Sequence, residues 1–246
     1  MRNERLRAAL LEHGVTPAAL GEELSVDPKT VQRWISGRIP YRRHRYIVAT
    51  ILGLDEEYLW PGALTKDQVA AASDSELLTA YPHRSDVPGP IWARLFTAAE
   101  REISVLVYSG LFLAEDVTLQ NILANRARAG VRVRILFGDP DSPQVAQRGA
   151  DEGVDDAMAA KIRNALVLYR TLRSTEGAEF RFHRTILYNS IYRGDDQLLV
   201  NTHVHGISAA RAPVWHLRKV AGGEIAATYI ESFERVWDTA VPIPES

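Results

Sequence analysis

Polar side chains with the spacing of a ligand pocket lie in two stretches predicted as neighbouring strands. Side chains two residues apart on a strand project from one face, so His183 and Thr185 share a face, as do Asn201, His203 and His205. A His-x-His pair on a strand could also bind a metal. No carboxylate lies at a clear ligand spacing, so we expect hydrogen-bonded histidines instead and predict no metal and no cofactor. The candidate pocket, for a small polar or phosphorylated ligand, comprises His183, Thr185, Tyr188, Ser190, Asn201 and His203.

A second set of hydrogen-bonding side chains lies on one side of a short predicted helix over residues 28–36. Donors and acceptors of this kind suit base edges and phosphates. The sequence from Pro28 through Leu54 holds six basic residues and no Asp or Glu. A basic run is usually a solvated face, but this one coincides with the helix and the loop after it, as contacts with DNA phosphates would require. The predicted DNA-binding residues are Thr16, Lys29, Thr30, Gln32, Arg33, Ser36, Arg38, Arg42 and Arg43.

Two short helices joined by a tight turn must position this second set. Each helix begins with a capping side chain followed by a proline, in Thr16-Pro17 and again in Asp27-Pro28. Ser25-Val26 makes the turn between them. The inward face of the second helix is formed by Val31, Trp34 and Ile35. This arrangement predicts a helix-turn-helix, whose second helix enters the DNA major groove.

The stretch TPAALGEELSVDPKTVQRWISGRIP resembles the Cro/C1-type (XRE family) helix-turn-helix, and the resemblance covers roughly residues 3–60. The resemblance rests on the small residues of the helix that begins at Thr16-Pro17, the β-branched residue in the turn, the Thr-Val-x-x-Trp core of the next helix and the Gly that follows it. The resemblance implies binding to a double-stranded DNA operator. One departure is Pro17, which stands where the family often has a Gln that contacts the DNA backbone. That contact is absent here or is supplied by Thr16.

Length and composition fit a globular protein of two domains. The chain has 246 residues, 46% of them hydrophobic, with a net charge of −2, so any surface for nucleic acid must be local. It contains no cysteine, which excludes disulfides and thiol chemistry. No run of 18 apolar residues occurs, and the N-terminal stretch is too charged for a secretory signal. We therefore expect a cytoplasmic protein without a membrane partner.

The predicted first domain, residues 1–61, is all-α with five helices. Leu6, Leu10 and Leu11 are expected to face its core from the first helix, and residues 42–52 form the fourth helix. The apolar stripe of that fourth helix is predicted to be Tyr46, Ile47, Ile51 and Leu52.

Residues 62–90 are predicted to be a linker, with helical turns at 65–72 and 74–80 before three prolines interrupt the chain. His83 and Arg84 are expected to pack or cap locally, the alternative being that they reach into a site of the second domain.

The second domain, residues 91–246, is predicted to be an α/β fold with a mixed sheet, because helical and strand patterns alternate along it. The fold class is therefore an all-α domain followed by an α/β domain. The predicted strands are 103–109, 131–137, 180–183, 185–193 and 197–205, and the predicted helices are 91–102, 116–129, 155–172 and 224–238.

Two stretches of the second domain resemble the phospholipase D-like fold. They are LANRARAGVRVRILFGD and FRFHRTILYNSIYRGDDQLLVNTH, the latter at the place of the family's HxKxxxxD signature. In that family the His is the nucleophile, the Lys neutralises phosphate charge and the Asp orients an imidazole. Only His183 matches the signature, since Thr185 occupies the position of the Lys and Ser190 occupies the position of the Asp. The comparison implies a catalytically degenerate domain, so we predict no catalytic residue.

The whole layout is similar to an actinobacterial family of helix-turn-helix proteins with a C-terminal DUF5919 domain, a resemblance whose functional content is DNA binding. We therefore predict a transcriptional regulator that binds DNA as a homodimer, with the second domain for dimerisation or ligand sensing. One alternative is a DNA-targeted phosphodiesterase or nuclease that uses His183. Another is that the second domain is a scaffold for protein interactions.

Overall fold

The computed structural model describes residues 2–60 and 75–244, which divide into two compact units. The N-terminal unit holds residues 2–60 together with 220–224, and the C-terminal unit holds residues 75–219 together with 225–244. The linker prediction falls partly on residues 61–74, including the turn at 65–72, and this stretch lies outside the described residues. None of the described helices is long and apolar enough to cross a membrane.

Helices make up the regular structure of the N-terminal unit. Local signals start three of them, because Asn3, Thr16 and Asp27 each accept a backbone hydrogen bond as the N-cap. Leu6, Leu20, Val31, Trp34 and Leu52 are buried together in the core. The helices are α1 (Glu4–Glu12), α2 (Pro17–Glu23), α3 (Pro28–Ile35), α4 (Arg42–Leu52) and α5 (Glu56–Leu59).

The predicted inward face of α4 is wrong for three of its four residues. Tyr46 is 62% exposed, and Ile47 and Ile51 are exposed as well, whereas Leu52 is buried. Arg45 takes the inward position instead, because its Nε lies 2.6 Å from Glu56 Oε1 and its Nη1 donates to the Pro40 carbonyl at 2.9 Å.

The prediction for α1 has a similar error. Leu11 is exposed, and the small Ala9 is buried beside Leu6 and Leu10 in its place. Ala9 is too weakly apolar to stand out in a hydrophobic pattern, whereas Leu11, two residues further on, is strongly apolar and was assigned to the core instead.

The C-terminal unit is built on a sheet that mixes parallel and antiparallel strands, as predicted. Its strands are β1 (Leu77–Tyr81), β2 (Glu102–Leu106), β3 (Arg132–Gly138), β4 (Ala178–His183), β5 (Asn189–Gly194), β6 (Gln197–Thr202), β7 (Val214–Arg218) and β8 (Val241–Pro242). Their order is β1-β7-β6-β5-β2-β3-β4-β8, with β2, β3 and β4 parallel and the other pairs antiparallel.

Seven helices accompany this sheet in the described part of the chain. They are α6 (Gly89–Thr97), α7 (Leu111–Glu115), α8 (Val117–Arg128), α9 (Pro143–Asp151), α10 (Ala157–Leu168), α11 (Arg170–Arg173) and α12 (Ile225–Thr239). The buried strands β2 and β3 form the centre of the core between β5 and β4. Because the carboxyl ends of parallel strands meet at one edge, the segments after β2, β3 and β4 converge there.

Several elements differ from the prediction. β1 lies in the stretch assigned to the linker and to a helical turn at 74–80, and it pairs with β7, which was not predicted. The predicted helix 155–172 is two helices, with α10 ending before Tyr169 and α11 beginning after it. The strand predicted from residue 185 starts only at Asn189, and the one predicted to residue 205 ends at Thr202. Helices α7 and α9 and strand β8 were also missed.

A buried ion-pair network lies between β3 and α12. Arg134 is 3% exposed, and its Nη1 and Nη2 donate to the two carboxylate oxygens of Glu234 at 2.7 and 2.6 Å. Its Nε donates to Glu102 Oε1 at 3.1 Å. The guanidinium also lies 4.8 Å from the ring centroid of Phe233 and 5.0 Å from that of Trp237. Burial favours the neutral form of Glu102, but hydrogen bonds from Ser104 and Arg134 outweigh it, so the pKa of Glu102 is lowered.

Candidate functional site

The turn between α2 and α3 is set by close backbone packing. The Thr16 hydroxyl oxygen accepts from the Ala19 N–H at 3.1 Å, which starts α2. After α2, Ser25 adopts a left-handed conformation with φ +52°. A Cβ at Gly21 would lie 2.8 Å from the Val26 carbonyl oxygen, a distance that real Cβ atoms do not tolerate. Only glycine therefore allows α3 to approach α2 this closely.

Helix α3 has one buried face and one exposed face. The Asp27 carboxylate accepts from the Lys29 N–H at 2.7 Å at the start of the helix. Val31 and Trp34 are buried in the core. The opposite face carries the residues predicted to contact DNA: Lys29, Gln32, Arg33 and Ser36 are exposed, and Thr30 is half-buried.

The chain after α3 continues this surface in part. Gly37 has φ +107° and ends the helix, and Arg38 and Arg43 are both exposed. The side chain of Arg42 lies outside the described residues, although Arg42 is the first residue of α4. Burial, with a smaller contribution from Arg43, lowers the pKa of His44, whose ring lies 5.5 Å from that of Trp34. Positive charge on this stretch therefore comes from the arginines and not from His44.

His183, the last residue of β4, has both ring nitrogens occupied by backbone groups. The Thr185 N–H donates to Nδ1 at 3.2 Å, so Nε2 carries the proton and donates to the Val107 carbonyl at 3.1 Å. The ring is buried, and burial lowers its pKa to about 4. A nucleophilic imidazole needs an accessible lone pair, and the lone pair of His183 already accepts a backbone hydrogen bond.

His203 forms a second hydrogen-bonded cluster, just after β6. Its Nδ1 donates to the Leu187 carbonyl at 3.2 Å, so Nε2 accepts from the Ser190 hydroxyl at 3.0 Å. The Tyr108 ring stacks on His203 at a centroid distance of 5.8 Å and lies 5.9 Å from His183. Burial, followed by the positive charge of Arg148, lowers the pKa of His203 to about 4.

The six residues of the predicted pocket do not form one cavity in the described part of the chain. Ser190 and His203 line a cavity of about 270 Å³ next to the segment after β2. Asn201 is fully buried, and its Nδ2 donates to the Ala212 and Pro213 carbonyls at 3.2 and 3.1 Å. Tyr188 is 80% exposed.

The loop 184–188 explains most of this dispersal. Thr185 lies in this loop and not on a strand with His183, so alternation of side chains does not apply to the pair. The same holds for His203 and His205, since β6 ends at Thr202. Among the residues that the structure describes, no group of three or more His, Asp or Glu is placed to hold a metal ion.

The cavity has charged lining residues that sequence reasoning missed. Arg148 from α9 and Lys161 from α10 line it, as does Arg84, which lies in a short 3₁₀ turn. The interpretation that Arg84 only packs locally is therefore wrong, although His83 does pair locally with Asp86 at 2.9 Å. The three cationic residues come from three separate elements, so no spacing in the sequence links them.

Acidification is expected to destabilise the C-terminal unit through its two buried histidines. Both have a pKa lowered from 6.5 to about 4, so the unfolded chain takes up protons first as the pH falls. The free energy of unfolding is therefore highest above the pKa of the unfolded histidine, 6.5, and falls as the pH drops from there towards the pKa in the folded state, about 4. The expected loss is about 1–2 kcal/mol for each histidine between about pH 7 and about pH 5. Urea denaturation over this range measures the slope. His183→Gln and His203→Gln should each remove about half of the histidine contribution, and an unchanged slope in both variants would contradict the assignment.

Comparisons with known proteins find structural neighbours but no family. No family model matches the sequence, and no curated protein matches it. TrmBL2, an archaeal chromatin protein, is 17% identical over 67% of this chain and 54% of its own, with a TM-score of 0.42, so the chain spans about half of its length.

Two further solved structures are also similar to part of the chain. Nuc from Salmonella typhimurium, a phospholipase D family member, is 14% identical over 63% of this chain and 90% of its own, with a TM-score of 0.38. NucT from Helicobacter pylori is 8% identical over 67% of this chain and 98% of its own, with a TM-score of 0.41.

Proposed function

We propose that this protein is a sequence-specific DNA-binding transcriptional regulator that acts as a dimer. The observation that supports it most is the division of α3 into two faces. Val31 and Trp34 anchor the helix in the core, while Lys29, Gln32 and Arg33 project from its exposed side. A short helix held in this way behind a tight turn is suited to enter the major groove with its donors facing base edges.

The residues around α3 would supply contacts with the DNA backbone. Arg38 and Arg43 are exposed in the segment that follows the helix, and arginines at such positions neutralise phosphates. Thr16 uses its oxygen to cap α2 but keeps its hydroxyl proton, which could donate to a phosphate. Arg45 belongs to the same basic run in sequence, but we assign it no DNA contact because it is paired with Glu56.

Dimerisation follows from the energetics of such small modules. A single helix-turn-helix makes few base contacts, whereas a dimer reads two half-sites about 34–36 Å apart. We assign this role, or ligand sensing, to the C-terminal unit. Genomic footprinting of the tagged protein, followed by titration onto the recovered sites at fixed salt, tests the proposal. A compact two-fold-symmetric motif is expected. Diffuse, salt-labile binding without a motif would overturn it.

Arg33→Ala is expected to weaken operator binding by about 1–3 kcal/mol, because an arginine that reads a guanine loses two hydrogen bonds at once. Non-specific binding should change less, since only one charge is removed. Titration of the variant onto operator and scrambled DNA at one salt concentration measures both effects. Arg7→Ala on α1 is the matched control, as Arg7 is exposed and already pairs with Glu4. Equal losses in the two variants would remove Arg33 from the interface.

Catalysis by His183 is the alternative, and the hydrogen bonds of its ring weigh against it. A phosphodiesterase of that type needs the imidazole free to attack phosphorus, whereas Nδ1 accepts from Thr185 and Nε2 donates to Val107. We therefore propose that the C-terminal unit does not cleave phosphodiesters through His183. Assays of nuclease and phosphodiesterase activity on wild type and His183→Ala separate the two functions, since activity that disappears in the variant would restore the alternative.

A further inference from the structure

The cavity beside β2 is the feature of the C-terminal unit that the proposed DNA binding does not use. Its volume is about 270 Å³, near the lower end of the range for small-molecule sites. It reaches from the exposed Glu115 to the buried Arg148. The cavity lies at the carboxyl end of β2, where the parallel part of the sheet meets the antiparallel part. Open α/β sheets place ligands in the crevice beyond the carboxyl ends of their parallel strands.

Arg148 is the most buried of the three cations that line this cavity. It is only 7% exposed, and its Nη2 lies 2.5 Å from Glu152 Oε1. Its Nε is buried without a hydrogen-bond partner among the described residues. Leaving a buried donor on a charged group unsatisfied costs about 1–3 kcal/mol or more. A bound acceptor that reaches this Nε would remove that cost.

The other charged side chains of the lining leave an excess of positive charge. Arg84 and Lys161 join Arg148, and among the described residues of the lining two carboxylates, Glu115 and Glu152, accompany them. Arg84 lies over the Phe112 ring, with 3.9 Å between its guanidinium carbon and the ring centroid, which holds its charge at the wall. A single negative group on a ligand would therefore balance the lining.

The remaining wall is neutral and partly apolar. The Ser190 hydroxyl hydrogen-bonds to His203, and the fold keeps His203 uncharged, so the pair makes this part of the wall polar without adding charge. Leu111, Phe112 and Met158 line the cavity as well. Such a lining accepts the aromatic or aliphatic body of a small molecule.

We propose that this cavity binds a small organic anion, with one carboxylate or phosphate group facing Arg84, Arg148 and Lys161 and an apolar body against Phe112 and Met158. The assignment moves the expected ligand from the neighbourhood of His183 to a different set of residues. Binding itself does not depend on the DNA-binding function. The role of the anion as the regulatory signal does rest on that function.

Calorimetric titration of the full-length protein with benzoate, phenyl phosphate, inorganic phosphate and benzamide tests the site without DNA. We expect saturable binding of benzoate, of phenyl phosphate or of both, and the preferred probe identifies the acidic group. Benzamide has the shape of benzoate without its charge and should bind at least about tenfold more weakly, because hydrogen bonds to a charged group are the stronger ones. Failure of both organic anions to bind, or inorganic phosphate binding as tightly as phenyl phosphate, would overturn the proposal.

Substitutions of the lining residues test whether the probe binds in this cavity. Arg84→Ala and Lys161→Ala should each weaken binding of the preferred probe by about tenfold. Arg148→Lys keeps a cation beside Glu152, so the fold is retained while the Nε donor is lost, and a comparable loss is expected. Arg94→Ala removes an exposed arginine on α6 outside the cavity and should leave affinity within about twofold. Affinity equal to wild type in all three cavity variants would exclude the site.

The regulatory role needs a second measurement. The operator affinity of the wild type should change when the saturating probe is added, whereas that of Arg84→Ala should not. The reason is linkage: an anion that regulates DNA binding must bind the free protein and the operator-bound protein with different affinities. Anion binding without any effect on operator affinity would keep the site and remove it from regulation. Absence of operator binding altogether would overturn the proposed function and leave the calorimetric result unaffected.

Discussion

Arg134→Ala is expected to lower the free energy of unfolding of the C-terminal unit by about 3 kcal/mol, the low end of the range for a broken buried ion pair, because Glu102 keeps Arg193 as a cation 3.5 Å away but loses its hydrogen bonds to Arg134. Arg134 is the only described side chain that donates to both Glu102 and Glu234. Its loss also removes the cation from above the Phe233 and Trp237 rings. Glu234 is partly exposed and can be rehydrated, whereas Glu102 remains mostly buried between strands. The larger part of the loss therefore comes from Glu102.

Urea denaturation of the full-length protein, followed by the transition of the C-terminal unit, measures this loss. Arg132→Ala is the matched control, because Arg132 lies on the same strand and pairs with Glu179 in solvent. Its loss should be about 0–1 kcal/mol, as for other exposed pairs. Combining Arg134→Met with Glu102→Gln should recover much of the stability, since the buried cation and the more buried carboxylate are removed together and Arg193 still lies 4.0 Å from Glu234. A loss in Arg134→Ala no greater than in Arg132→Ala would mean that the network does not stabilise the fold.

Trp34→Ala is expected to unfold the N-terminal unit while the C-terminal unit stays folded. Truncating a buried tryptophan costs about 3–5 kcal/mol, and Trp34 is buried against the other helices of this unit. A core of about 60 residues rarely supplies more than about 3–5 kcal/mol in total. The free-energy cost of the substitution is therefore comparable to the entire free energy of unfolding of the N-terminal unit.

Calorimetry of the full-length protein should show the transition of the N-terminal unit missing in Trp34→Ala and that of the C-terminal unit unchanged. Trp215→Ala is the control, because Trp215 is 42% exposed on β7, and it should leave the N-terminal transition in place. DNA binding is expected to disappear in Trp34→Ala for lack of a folded module, whereas Arg33→Ala loses affinity in a folded one. An intact N-terminal transition in Trp34→Ala would show that α3 is held by other contacts.

Local signals explain which parts of the fold could be predicted. The start of α2 at Thr16-Pro17 and of α3 at Asp27-Pro28 depends on residues within one helical turn, and the structure has both. The parallel strands β2 and β3 are continuous buried runs, so their pattern was also visible. The Arg45–Glu56 pair could not be foreseen, because a charged residue facing inward depends on a partner in another helix. Because Arg45 faces the core, the next residue of the helix, Tyr46, is directed towards solvent.

The candidate site was harder to predict than the fold. Ser190 and His203 lie in contact because a tight hairpin aligns β5 with β6. The grouping of Thr185 and Tyr188 with them failed because the loop 184–188 breaks the strand alternation on which it depended. Arg84, Arg148 and Lys161 meet only through packing of distant elements. Contacts between such distant residues leave no periodic pattern in a single sequence.

The pairing of the sheet's outer strands also sets the order in which the molecule can assemble during synthesis. The core of the N-terminal unit draws on residues between Leu6 and Trp60, so these contacts are available as soon as that short stretch has left the ribosome. β1 instead pairs through Tyr81 with Val214, a partner translated much later. Contacts between such distant residues form slowly, and until then the newly made β1 presents an unpaired edge. The native partner of β1 therefore exists only after more than half of the chain has been synthesised beyond it.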